Sequence, residues 1–461
     1  MVTTRKEREF GILEKYQLSK QLAKAYGNVC FAAELNHPER TKDVTQFYLS
    51  RLKLPLKKLI ESHACLSLVI KDKENPTVHF DQLTSVDLTQ LITVSSDNTD
   101  LDSLTQEQCA VEFDIDSQSP LWRLKFVPIT STSCIALLAF HHVIGDGSAL
   151  STFWTELLNE LQLDNHDNEE NFVIRVPEDL KLPLPYELVG PPELSVLSDV
   201  LPLAVTSFLP KLLPTTLVRA FSNNNNWAGD FPAVDGEPHS TQVISNKVSR
   251  SLWEPILKKA KSKGVSGHAI LYALFILTWA TLYDGFDIQV ETPLNCRSMC
   301  NPPVPPNQMG NFVGCYSCHW KQDYLSQILD QKSFWEISKN YGKSLKENKV
   351  KGAKQTLFLK YLSDFPSSYL DYWKDKRDSP MKRSGGLELS DMGKFERQDS
   401  LWKLSSMYFC QSAQTFSVAL GMNSVCLNGE LHYTLCWQKG ALDQEKIQKF
   451  NAEFNKLVHM L

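Results

Sequence analysis

The stretch Phe140-His141-His142-Val143-Ile144-Gly145-Asp146-Gly147 sets two histidines and an Asp-Gly pair between segments of different periodicity. Before it, residues 133–140 (SCIALLAF) form a short, continuous apolar run, which predicts a buried strand. After it, Leu150, Phe153, Trp154, Leu157, Leu158 and Leu161 recur at helical spacing. The octapeptide is therefore a strand-to-helix turn, with Asp146 and Gly147 at the helix start. A carboxylate there can cap the orphan amides of the first turn, and glycine lets the backbone turn tightly or approach a ligand closely. An imidazole held in such a turn can act as a general base near neutral pH when a substrate proton lies within hydrogen-bond reach. Only one of the two is needed for that. Adjacent histidines leaving a strand point to opposite faces, and with no third ligand at metal-site spacing nearby this argues against a metal. A capped helix carrying two incidental histidines is the competing reading.

Outward from this turn, the 461 residues are enough for two domains and a sizeable core. A hydrophobic content of 42% with 22% charged residues is that of an ordinary globular protein. A net charge of -5 with interspersed signs, and no basic stripe with interleaved aromatics, excludes a nucleic-acid partner. The first ten residues carry Lys and Arg but no apolar core follows, so no secretory signal is expected. Eleven scattered cysteines, an odd number, favour reduced thiols in a cytosolic setting over a disulfide framework. The apolar run 269–283 is shorter than the about 20 residues a membrane span needs, and it predicts a buried core helix instead.

Composition shifts after the helix that the histidine turn starts. Residues 164–171 are acidic and Asn-rich, and 177–192 are rich in proline, which predicts an extended crossing segment. Residues 194–221 are apolar but broken by Pro202, Pro210 and Pro214, so they cannot form one straight helix. They are either short helices over the core or an exposed patch that docks on lipid or gates a pocket. From 241 onward helices alternate with strands. Residues 430–437 follow Asn428-Gly429 as the second strand of a hairpin, and 443–461 form a last amphipathic helix.

Two rival signals fail on physical grounds. Cys315-Tyr316-Ser317-Cys318-His319 has the spacing for covalent haem attachment, but it continues a β pattern in a chain with no export signal. Cys296, Cys300, Cys315 and Cys318 approximate a four-thiolate zinc site. The loop between the pairs is stiffened by Pro302, Pro303, Pro305 and Pro306, and a domain this large needs no structural metal. Neither a G-x-S-x-G elbow nor a phosphate-binding Gly-rich loop is present, so hydrolase and kinase readings lack support.

The H-H-x-x-x-D-G turn resembles that of the CoA-dependent acyltransferase superfamily, which includes non-ribosomal peptide condensation domains, plant BAHD acyltransferases and fungal alcohol acetyltransferases. Further stretches look like the fungal alcohol acetyltransferase branch, in the same order: Gly11-Ile12-Leu13-Glu14-Lys15-Tyr16, Tyr26-Gly27-Asn28-Val29, Asn226-Trp227-Ala228-Gly229, Thr292-Pro293-Leu294-Asn295-Cys296-Arg297, Met309-Gly310-Asn311-Phe312-Val313-Gly314, Glu388-Leu389-Ser390-Asp391-Met392-Gly393 and Phe409-Cys410-Gln411-Ser412. The D-F-G-W-G motif of the plant enzymes is missing, and Asp230-Phe231-Pro232 does not replace it.

The resemblance implies an α/β (α+β) fold of two similar chloramphenicol-acetyltransferase-like domains with a channel between them. The halves would be 1–163 and 241–461, joined by a crossing linker with short apolar helices at 164–240. It implies His142 as the base, with His141, Asp146, Gly147 and Arg297 supporting the turn and Arg297 paired to Asp146. Asn311, Phe312, Ser390 and Gln411 would line the substrate or CoA channel. No metal or bound cofactor is implied; acetyl-CoA is the co-substrate and a small alcohol the acceptor. The alternative acceptor is a lipophilic amine such as a sphingoid-base analogue. A condensation-type module acting on carrier-bound substrates and a binding protein without turnover are the readings from other classes. The expected state is a cytoplasmic monomer touching the endoplasmic reticulum or a lipid droplet peripherally, through 194–221 and the amphipathic segments 12–26 and 447–461.

Overall fold

The computed structural model describes residues 3–25, 27–95, 99–163, 171–191, 194–195, 225–234, 239–325, 331–398 and 400–461. Most of 164–240 therefore lies outside the described residues, including nearly all of the apolar segment 194–221.

Two mixed sheets organise the chain. The first has the order β14-β2-β8-β7-β6, with β2 at Asn28–Asn36, β6 at Ile92–Val94, β7 at Trp122–Thr130, β8 at Ser133–His141 and β14 at Lys403–Gln411. The second has the order β10-β16-β15-β13-β11-β12, with β10 at Thr241–Val248, β11 at Ile288–Asn295, β12 at Val313–Trp320, β13 at Leu387–Phe395, β15 at Leu420–Leu427 and β16 at Glu430–Gln438. The smaller sheets are β1 (Thr4–Glu9), β4 (His79–Leu83) and β3 (Leu68–Lys71), and the pair β5 (Ser85–Asp87) with β9 (Val173–Arg175).

The apolar run before the histidines is central strand β8. It pairs antiparallel with β2 and with β7, so both of its edges are occupied and its side chains are buried almost throughout. Helix α4 (Gly147–Leu161) follows and lays its apolar stripe on this sheet, where the Trp154 indole donates to the Phe31 carbonyl at 3.0 Å. On the second sheet, the run 269–283 is the core helix Gly267–Leu282, capped by Ser266 and buried along most of its length. The Asn428-Gly429 hairpin joins β15 to β16 with both turn residues at positive φ, 46° and 87°, the geometry a two-residue hairpin favours.

Strand β14 crosses the halves. It lies between β13 and β15 in sequence, yet it pairs antiparallel with β2, from Lys403 against Asn36 to Gln411 against Val29. Residues 403–411 thus leave the C-terminal half assigned from sequence and complete the N-terminal sheet. Strand pairing is non-local, and nothing in the β14 pattern distinguishes one sheet edge from another.

The two terminal helices turn their apolar faces inward. In Gln444–Met460 the residues Ile447, Phe450, Phe454 and Val458 are buried in the second core, and in α1 (Ile12–Leu22) Leu13 and Leu18 are buried. The faces expected to meet lipid are therefore covered by protein. Among the described residues no single helix is long and apolar enough to cross a membrane.

Candidate active site

At the end of β8 the two histidines part. His141 is 1% exposed; its Nε2 lies 2.6 Å from Gln21 Oε1, and its Nδ1 accepts the Val143 N–H at 3.0 Å. Both ring nitrogens are thus used to hold the turn, and burial, followed by the neighbouring His142, lowers its pKa to about 3. His142 turns the other way, into a cavity of about 270 Å³ between the two sheets. Asn311 Nδ2 donates to the His142 carbonyl at 2.8 Å and lies 3.3 Å from ring Nδ1, clamping the residue from behind. Burial first, and then the Lys20 ammonium, lower the His142 pKa from 6.5 to about 4. The imidazole is therefore neutral at physiological pH.

Asp146 points away from that cavity. It caps α4 by accepting the Ala149 N–H at 3.0 Å, takes the Phe312 N–H at 3.0 Å, and receives both guanidinium arms of Arg297 at 2.8 and 3.0 Å. Arg297 also donates to the carbonyls of Gln308 at 3.0 Å and Gly310 at 3.1 Å, and its guanidinium sits over the Phe312 ring at 5.0 Å. Asp146 is 1% and Arg297 2% exposed. This bidentate pair ties the histidine turn of one sheet to the loop between β11 and β12 of the other. Gly147 faces the cavity, where a Cβ would meet Met392 Sδ at 2.6 Å.

Both sheets wall the cavity, and the wall is polar. Ser390 of β13 and Gln411 of β14 line it. Asn311 and Phe312 do not: Phe312 is 2% exposed beneath the Asp146–Arg297 pair, and Asn311 reaches His142 from the opposite side. Among the polar side chains that line the cavity and that sequence reasoning did not single out are Gln17 and Lys20 of α1, Glu291 of β11 and Glu388 of β13. Glu388 accepts from the Gln411 amide and from Gln414 Nε2, the latter at 2.8 Å. Burial, then the like charge of Glu291, pushes its pKa up to about 7, while burial lowers that of Lys20 to about 8 against the pull of Glu388. Burial also raises Glu291. A signal for α1 existed in the chain: Leu13, Tyr16, Gln17 and Lys20 share one helical face, so polar residues sit on a buried stripe. Among the described residues no group of His, Cys, Asp and Glu side chains is placed to hold a metal ion.

The family model for alcohol acetyltransferases matches residues 96–458, well over half of the chain. The chain belongs to the alcohol acetyltransferase family. A probable alcohol acetyltransferase, FCK4 of Fusarium pseudograminearum, is 22% identical to this acetyltransferase over 329 residues. That match covers 68% of the present chain and 64% of the relative, a little under two thirds of the relative's length. Among solved structures, the TRI3 trichothecene 15-O-acetyltransferase of Fusarium sporotrichioides superposes with a TM-score of 0.67 at 13% identity, covering 98% of this chain and 94% of TRI3. The epimerization domain from the third module of tyrocidine synthetase B gives 0.58 at 13% identity, covering 99% of this chain and 97% of that one. These likenesses establish the fold, that of acetyltransferases and condensation domains.

Proposed function

We propose that this acetyltransferase moves the acetyl group of acetyl-CoA to an alcohol hydroxyl by direct attack, with His142 as general base. The observation that carries the reading is a neutral imidazole on the wall of a cavity enclosed by both sheets. In the step, the acceptor O–H proton passes to the His142 imidazole as the oxygen bonds to the thioester carbonyl carbon. Collapse of the tetrahedral adduct breaks the C–S bond, and the CoA sulfur takes the proton back from the imidazolium. No acyl-enzyme is needed, which agrees with a site organised around one base.

A second opening supports acetyl-CoA as the donor. A cleft of about 1030 Å³ is lined by Arg250, Lys258, Lys261, Lys394 and Arg397, with Glu254, Glu396 and Asp391 as the opposing acids. Its excess of cations suits the CoA phosphates. Strand β13 borders both volumes: Asp391 and Gly393 face the cleft, while Glu388 and Ser390 face the His142 cavity.

Labelled acetyl-CoA offered with alcohols, a sphingoid amine and sterols tests the reading. Transfer to an alcohol is expected. Transfer to the amine alone would reassign the acceptor, and no transfer from free acetyl-CoA to any of them would favour a carrier-bound donor or a binding role instead. Lys258→Glu combined with Lys261→Glu is expected to raise the KM for acetyl-CoA about tenfold or more while sparing kcat. An unchanged KM would remove the cleft from the model of donor binding.

A further inference from the structure

We infer that the acceptor is a compact, polyhydroxylated molecule, recognised by Gln17, Glu388 and Lys20 in the His142 cavity. The inference rests on the preceding reading that this cavity receives the acceptor, and it names the chemistry that the wall selects.

Gln17 is the decisive residue. It is 5% exposed, it lines the cavity, and its Oε1 is a buried acceptor with no hydrogen-bond partner among the described residues. A buried polar atom left without a partner is costly, so this oxygen calls for a donor from whatever fills the space. Helix α1 brings Lys20 to the same face, three residues on, and its ammonium offers donors where Gln17 offers an acceptor. On the opposite wall the Gln411 and Gln414 amides each donate to one oxygen of Glu388. This fixes the carboxylate in place, and each oxygen keeps a second lone pair for a further donor. Charge does not select an ion, because Glu291 and Glu388 are balanced by Lys20 and Lys376 around the same cavity. What the wall provides is alternating acceptors and donors, the complement of a molecule with several hydroxyl groups. An alkyl chain would bury every one of these groups without replacing a hydrogen bond. Size points the same way: about 270 Å³ is at the small end for ligand pockets and short for a long-chain alcohol or sphingoid base.

The test measures acetylation of methyl glucopyranoside, myo-inositol and ribitol against n-octanol and sphinganine, together with equilibrium binding of the polyols in the absence of acetyl-CoA. The parent enzyme is expected to favour at least one polyol over octanol by about tenfold or more in kcat/KM. Gln17→Leu, checked for folding by thermal unfolding, is expected to raise the KM and Kd for that polyol by about 2- to 13-fold, the worth of one neutral hydrogen bond, with octanol changed less than twofold. A merely structural role for Gln17 would shift both acceptors alike. Octanol or sphinganine used as well as the polyols, an equal loss for both classes in Gln17→Leu, or no binding of any polyol would each overturn the inference. Gln17-dependent polyol binding without acetyl transfer would leave the inference standing and remove the acetyl-transfer reading instead.

Discussion

Removing both partners of the Asp146–Arg297 pair should cost clearly less than the sum of removing each alone. Asp146→Ala deletes the acceptor of both Arg297 arms, of the Phe312 N–H and of the capping contact to Ala149. The guanidinium is then left at 2% exposure with no counter-charge. A broken buried pair costs about 3–5 kcal/mol, and the lost cap adds about 1 kcal/mol. Arg297→Ala leaves the carboxylate with two backbone donors but strips the Gln308 carbonyl of its partner and the Gly310 carbonyl of one of its two donors, the Asp146 N–H remaining, again about 3–5 kcal/mol. In Asp146→Ala with Arg297→Ala no unpaired charge remains, so the double loss should fall short of the sum by at least about 2 kcal/mol. The assay is equilibrium urea unfolding of the four proteins, followed by tryptophan fluorescence. Additivity to within about 0.5 kcal/mol would refute the reasoning, because contacting residues that share a buried charge must couple. Both single variants should also lose acetyl transfer, since the pair holds the turn that aims His142, yet neither side chain lines the cavity.

His142→Ala should lower kcat by about 100- to 10,000-fold with the fold intact; turnover within a few-fold of the parent would exclude it as the base. His141→Ala removes the contacts to Gln21 and the Val143 N–H, so it should destabilise the turn and reduce turnover less than the His142 change. Stability should fall on mild acidification. His141, His142 and His432 titrate near 3, 4 and 4 when folded and near 6.5 when unfolded, so the unfolded chain takes up more protons between those values. Their contribution is complete above about pH 6.5 and declines as the pH drops toward 4, at about 2 kcal/mol each by pH 5. Glu388, raised to about 7, opposes this by favouring the fold as it protonates, as do the raised Glu187, Glu291 and Asp102, while His239, lowered to about 4, adds to the fall. The urea midpoint should therefore be lower at pH 5 than at pH 7, and an equal or higher midpoint would contradict the assignment. Peripheral membrane contact, with both terminal helices packed inward, now rests as a proposal on 194–221 alone; flotation with liposomes should carry part of the folded protein upward, and complete recovery in the soluble fraction would remove it.

Local order was legible in the chain. The apolar run, the histidines, the capping Asp146 and the helix stripe lie within about thirty consecutive residues, so periodicity and turn chemistry reveal strand β8, the turn and α4 without any distant partner. The same holds for the Asn428-Gly429 hairpin and the all-apolar core helix at Gly267–Leu282. Resemblance added the pairing of Asp146 with Arg297, residues far apart in sequence whose proximity no local pattern encodes. Only the tertiary structure decided that β14 leaves its sequence neighbours to pair with β2, that Phe312 lies behind the turn rather than in the cavity, and that Gln17, Lys20, Glu291 and Glu388 meet in front of His142. The physical reason is the same in each case. Periodicity reports which face of an element is buried, whereas a substrate wall is assembled from elements of two sheets, and which of them come together depends on non-local pairing and packing.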